Sequence, residues 1–311
     1  MSKNTMVGVG SIVATIVLGF LLVFMFVVNP QNKESEVVTG AGEVDKEKEV
    51  TLEDSFAAYK PPSMEDVPAG ELGDLIKKGY SYTNDTSTTL DGYVGNTLSC
   101  ASCHADGGAG EVLDLVGITK THPKYNPRAG KVVTIEERIN GCFKRSLNGK
   151  PLSPEGPEMK AMVAYFDYIS QNVPDGTKER PWAKLKIIEG DLPTPNINNG
   201  RDLYVAACAS CHGQNGEGAN NGLAVWGENS YNIGAGMARL RTAAGFIQSN
   251  MPKVATGGYE KGSLTDQEAI DIAAYINEQY RPDFPGKEKD WPKGDAPDDA
   301  AYETLAKKVK Q

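Results

Sequence analysis

The sequence predicts an all-α chain in which two tandem, related helical domains follow a single N-terminal transmembrane helix. Three observations predict it. The pentapeptide Cys-Ala-Ser-Cys-His occurs twice, at 100–104 and 208–212, so the motifs are 108 residues apart. A run of 22 residues, Val7 to Val28, carries no charge. Apolar residues recur at helical spacing near the end of each repeat, whereas alternation punctuated by turns, the mark of strands, is scarce. A length of 311 residues allows two or three domains, and 40% hydrophobic with 23% charged residues is ordinary globular composition. Acidic residues outnumber basic ones 41 to 32, which argues against nucleic acid as a partner, because phosphate binding wants a concentrated basic surface.

Residues 1–28 read as the membrane anchor. As a helix the uncharged run would be about 33 Å long, which matches a bilayer core of about 30 Å. A cleaved secretory signal is the alternative, but the run exceeds a usual signal core and Asn29-Pro30-Gln31-Asn32 has no small-residue cleavage site; Thr39-Gly40-Ala41 is distant and weak. Lys3 before the run and the acidic stretch after it place the N-terminus inside. Residues 29–68 read as an acidic tether: the span 29–70 holds ten Asp or Glu against four Lys, or −6 of the total −9, and includes Pro61, Pro62 and Pro68.

The two repeats then span 69–180 and 181–284, joined near Asp175–Asp191. Tyr125-Asn126-Pro127-Arg128-Ala129-Gly130 matches Tyr231-Asn232-Ile233-Gly234-Ala235-Gly236, and Val163-Ala164-Tyr165 matches Ala273-Ala274-Tyr275. Each repeat ends in a helix; the second has Ile270, Ile272, Ala273 and Ile276 at helical spacing, with Thr265 as N-cap and Glu268 as its capping-box partner. Residues 285–311, rich in Pro, Asp and Lys, read as an irregular tail with one short helix at Ala300–Val309.

The pentapeptides are C-x-x-C-H motifs, the attachment signature of c-type haem. Cys100 with Cys103, and Cys208 with Cys211, can each form thioethers to the vinyl groups of one porphyrin, while His104 and His212 bind iron from the proximal side. A redox dithiol does not need the His, and zinc needs four ligands in one place. Two covalently bound haem c groups are expected. Such attachment occurs outside the energised membrane, so the haem domains belong on the extracytoplasmic face, in keeping with the anchor.

The repeat also points to distal ligands. Cys142 lies thirty-eight residues after His104 and Met251 thirty-nine after His212, so one sequence position carries Cys in the first copy and Met in the second. Met opposite His raises a haem potential and suits electron transfer. Met237 competes with Met251, although the repeat puts it opposite Lys131; His122, Met159 and Met162 are the rivals of Cys142. A thiolate ligand lowers the potential and is itself a nucleophile towards sulfur, which implies chemistry rather than conduction. Arg128, Arg138, Lys144 and Arg145 surround Cys142 in sequence, whereas Gly234 and Ile247 stand at the positions of Arg128 and Arg138 in the second copy. Arg forks bind the oxygens of small oxyanions.

Arg128, the segment Glu137–Lys150, Tyr231-Asn232, Gly234-Ala235-Gly236-Met237 and Ser249-Asn250-Met251-Pro252 resemble the dihaem thiosulfate dehydrogenase family over about residues 70–284. The resemblance implies two class I cytochrome c-like domains, an active-site haem ligated by His104 and Cys142, and an electron-transfer haem ligated by His212 and Met251. It implies Arg128 and Arg138 as substrate arginines and Ser146 as the active-site serine. The implied reaction couples two thiosulfates to tetrathionate, or runs in reverse, with a c-type cytochrome or terminal oxidase as electron acceptor. Some members carry a Lys before the ligand Met that can exchange with it; Asn250 stands there here, and the membrane anchor departs from the usual soluble form. The alternative is a non-enzymatic dihaem electron carrier, which needs neither the arginines nor the thiolate. A dihaem peroxidase would need an open iron position, which Cys142 would block.

Overall fold

A computed structural model describes residues 59–308, apart from Lys184 and Asn221. The expected membrane helix at 7–28 and most of the tether lie outside the described residues. No described helix is long and apolar enough to cross a membrane.

The first repeat is built on α1 (Glu71–Asn84), α2 (Thr86–Thr89), a hairpin of β1 (Lys124–Asn126) and β2 (Lys131–Val133), α3 (Ile135–Arg145) and α4 (Pro157–Ile169). The second has α5 (Ile197–Ala207), α6 (Ala209–His212), α7 (Leu240–Asn250) and α8 (Asp266–Glu278), and α9 (Leu305–Lys308) follows in the tail. In both repeats the first long helix crosses the last one, α1 on α4 and α5 on α8. Each crossing is close enough to require glycine. A Cβ on Gly79 would lie 2.0 Å from the Ala161 carbonyl oxygen, and one on Gly200 would lie 1.9 Å from that of Asp271. The sequence repeat is therefore a repeat of one helix-packing solution.

Apolar faces at helical spacing supply two cores. Ile76, Phe143, Leu147, Met162 and Tyr165 belong to the first, and Tyr204, Ala244, Ile270, Ile272 and Ala273 to the second. Each large side chain fully buried this way contributes roughly 1.5–3 kcal/mol. Capping boxes fix two helix starts. Thr134 with Glu137 opens α3, and Thr265 with Glu268 opens α8 as expected from the sequence.

Three features depart from the sequence reading. The all-α expectation missed the antiparallel hairpin, paired Lys124↔Val133, Tyr125↔Val132 and Asn126↔Lys131, because three-residue strands are too short to show a period of two. Gly130, at φ +66°, and its N–H bond to the Asn126 carbonyl close the turn and put Arg128 at its tip. The described end of the tether is docked rather than solvated: Tyr168 Oη donates to the Ser63 carbonyl at 2.5 Å, and Tyr59 packs on Trp182. The tail carries its short helix at Leu305–Lys308, and the irregular part before it folds back on the haem domains, burying Asp290 and Trp291.

Segment 231–238 of the second repeat joins the two halves. Tyr231, Ala235 and Ala238 are buried in the core of the first repeat, not that of the second.

Candidate haem sites and the Cys142 pocket

In the first motif a short 3-10 turn, Cys100–Ser102, starts after Ser99, and the His104 N–H bonds back to the Cys100 carbonyl. This turn places Cys100, Cys103 and His104 along one wall of a cavity. The opposite contribution comes from α3. Ile135, Arg138, Ile139, Cys142 and Ser146 recur at steps of three and four, so one face of that helix looks into the cavity. Leu98, Leu115, Ile118, Leu147 and Phe166 complete mostly apolar walls.

The imidazoles are set for iron. Nδ1 of His104 lies 2.5 Å from the Leu113 carbonyl oxygen, and Nδ1 of His212 lies 2.7 Å from that of Leu223. A carbonyl can only accept, so Nδ1 carries the proton and Nε2 keeps its lone pair for a metal. Burial pushes the pKa of His104 down to about 4 and lowers that of His212, so both rings are neutral at physiological pH, the ligating form. Two thiols, one neutral imidazole and an apolar cavity fit a c-type haem at the first motif. The second presents the same Cys-His arrangement beside the packed rings of Tyr204, Trp226 and Tyr275.

Cys142 and Arg138 are brought together. Arg138 Nη1 donates to Cys142 Sγ at 2.8 Å, and the sulfur beside it is the first cause that raises the arginine's pKa. Ser146 lines the same cavity. Among the rivals of Cys142, Met162 also lines the cavity, while Met159 is buried outside its wall and His122 turns Nδ1 to the Ile118 carbonyl at 2.9 Å.

Arg128 is not brought to that cavity. Its Nη1 donates to the Gly234 carbonyl at 2.5 Å, its guanidinium stacks on Trp291 at 4.4 Å, and its Nε lies 3.9 Å from Asp290. Arg145 forms a two-pronged pair with Asp290 at 2.9 Å on both prongs and lies over Phe284 at 4.1 Å. Tyr302 Oη adds a bond to Asp290 at 2.6 Å. Burial lowers the Arg128 pKa to about 10, which still leaves it charged at neutral pH. Lys144 points to solvent. Of the four cations near Cys142 in sequence, Arg138 alone is seen on its sulfur. The tail residues Asp290, Trp291 and Tyr302 were not anticipated, because no local pattern marks an aspartate in an irregular segment as the partner of arginines far away in the chain. Gly234 meets Arg128, its repeat counterpart, and tolerates no side chain: a Cβ there would be 2.8 Å from Arg145 Nη1 and from Phe284.

The two methionine candidates part company. Met251 packs against the core of the second repeat, and Met237 packs against that of the first. The shared repeat position of Cys142 and Met251 also proves approximate in space. Cys142 lies within the last turn of α3, whereas Met251 is the extended residue just after α7.

These features define a dihaem c-type cytochrome. Residues 92–174 match the family model described as SoxA/TsdA, cytochrome c domain, and residues 197–279 match cytochrome c. The chain is 41% identical over 247 residues to thiosulfate dehydrogenase of Psychrobacter arcticus, covering 77% of this chain and 73% of that protein. It is 37% identical over 245 residues to thiosulfate dehydrogenase of Allochromatium vinosum, covering 73% and 86%. A solved structure of thiosulfate dehydrogenase (TsdBA) from Marichromatium purpuratum superposes with a TM-score of 0.70 at 29% identity, over 81% of this chain and 58% of that one. The chain belongs to the thiosulfate dehydrogenase family and carries two covalently bound haem c groups.

Proposed function

We propose that this protein is an oxidoreductase that joins two thiosulfates into tetrathionate at Cys142, or runs the reverse reaction, and passes the electrons to an external c-type cytochrome or terminal oxidase. The observation that carries the reading is the Arg138–Cys142 pair on the wall of the first haem cavity. Membership of the family supports the substrate.

Arg138 holds the oxygens of the incoming dianion and offsets its repulsion by the thiolate; the low-polarity walls around it strengthen that attraction. Ser146, one turn beyond Cys142 on the same face, offers a hydroxyl to the same anion. The outer sulfur of thiosulfate bonds to Cys142 Sγ, giving Cys–S–S–SO₃⁻, and two electrons leave. A second thiosulfate attacks that outer sulfur, tetrathionate departs and the thiolate returns, so charge and atoms balance. When bound, the two haems supply one-electron acceptors in series. Cys142 and His104 would hold the first iron, and His212 and Met251 the second. Arg128, held against Trp291 and the Gly234 carbonyl, lies outside this cavity and takes no part in these steps. Residues 7–28 anchor the protein in the membrane with its haem domains on the extracytoplasmic face.

The test is incubation of the holoprotein with thiosulfate and an artificial electron acceptor. The enzyme reduces the acceptor and forms tetrathionate, and Cys142→Met keeps both haems but loses turnover. Undiminished turnover by Cys142→Met would reduce the protein to a carrier or move the chemistry elsewhere.

A further inference from the structure

We infer that Asn232, in the second haem domain, is a positioning residue for the Cys142–Arg138 pair in the first. It rests on the reading of Cys142 as iron ligand and nucleophile. The geometry concerns the end of α3. A helix leaves its last carbonyls without intrahelical partners, and its ends fray unless those groups are closed. Cys142 lies within the last turn of α3, and Arg138 reaches its sulfur only while the i, i+4 register of that helix holds.

Local N–H groups close part of this end: the Cys142 carbonyl accepts from Leu147 at 3.0 Å, that of Phe143 from Gly149 at 2.8 Å and that of Arg145 from Asn148 at 3.4 Å, while other donors come from distant segments. Asn232 Nδ2 donates to the Lys144 carbonyl at 2.8 Å, and the Asn232 backbone N–H donates to the Arg145 carbonyl at 3.2 Å. The next carbonyl, of Ser146, accepts from Asn96 Nδ2 at 2.9 Å, and the same amide reaches the Ser230 carbonyl of the second domain at 3.0 Å. Asn232 is 1% exposed and its amide is fully engaged: Nδ2 also donates to Asn148 Oδ1, and its Oδ1 accepts from the Gly234 N–H. The Arg145 side chain in the same turn is held by Asp290. The sequence counterpart in the first repeat, Asn126, does nothing comparable; its Oδ1 accepts from Ala129 N within its own turn. A residue shared by both repeats has thus become, in one of them, a cap supplied across the domain boundary. On this inference the second domain helps to build the catalytic site as well as taking its electrons.

The test compares wild-type, Asn232→Ala and Asn232→Asp holoproteins by electron paramagnetic resonance and steady-state kinetics. Asn232→Asp keeps the acceptor for Gly234 but lacks the amide donors, so it should behave like Asn232→Ala. The expected result is an altered or split thiolate-haem signal and a fall in kcat of about ten-fold, with KM for thiosulfate changed far less. The red absorption band of the second, Met-ligated haem should be unchanged, which reports that the second domain is folded. A wild-type first-haem signal with unchanged kcat would overturn the inference. Equal loss of both haem signatures would overturn it too, because Asn232 would then be a general clamp. Cys142→Met, measured alongside, separates the two ideas: retained turnover there refutes the thiolate mechanism, whereas the first-haem signal of the Asn232 variants judges the cap.

Discussion

Replacing Arg138 by Ala removes the cation from Cys142 without touching the haem-attaching cysteines, and its cost can be worked from the contacts around it. Arg138 Nη1 makes one bond to the sulfur, at 2.8 Å. The other two arginines nearest in sequence cannot take its place, since Arg145 is spent on Asp290 and Arg128 on Gly234 and Trp291. A hydrogen bond to a charged group is worth about 1.5–3 kcal/mol, so kcat/KM for thiosulfate should fall about ten-fold to a few hundred-fold. Arg138→Lys should recover part of this, because it restores the charge without the fork. The assay is acceptor reduction across a range of thiosulfate concentrations, with the haem content of each variant checked after denaturation, when covalent haem stays with the chain. The thiolate-haem resonance signal should shift in Arg138→Ala as the sulfur loses its donor. A change in kcat/KM of less than about two-fold, with an unaltered signal, would refute the argument that this cation serves the chemistry.

Asp290→Ala leaves two largely buried guanidinium groups facing each other, and breaking such a network typically costs about 3–5 kcal/mol, so the thermal midpoint should drop markedly. Asp175→Ala, which breaks a pair whose carboxylate is 92% exposed, should leave the midpoint nearly unchanged in the same melts. Met251→Gly should abolish the red sulfur-to-iron band and lower the potential of the second haem, while Met237→Gly should leave that band in place because its side chain sits in the other core. Glu137 and Glu268 are held below the usual carboxylate range, Glu137 chiefly by Lys131 and the Thr134 N–H and Glu268 chiefly by the Thr265 N–H. A depressed folded pKa means the unfolded chain binds more protons, so this stabilisation is complete above the unfolded value of about 4.3 and is lost as pH falls through the lower folded value. Thermal melts of wild type against Glu137→Gln/Glu268→Gln should therefore differ at neutral pH and converge in acid.

What the amino-acid sequence determined by itself was local chemistry. The two haem attachment motifs, the proximal histidines, the Thr265 capping box and the placement of Arg138 one turn from Cys142 all act over a few residues, where spacing alone sets which groups meet. Tertiary structure decided everything that depends on which distant segment arrives. It gave Met237 to the first core and Met251 to the second, although both follow the same motif. It drew Arg128 away from the pocket and onto Trp291, and it paired Arg145 with an aspartate from a tail that has no periodicity of its own. It also brought Asn232 onto the Lys144 carbonyl at the end of α3, whereas its repeat partner Asn126 stabilises a turn. The physical reason is the same in each case: a buried carbonyl or cation must find a partner, but its own few neighbours in sequence do not specify which distant group the packed chain will bring.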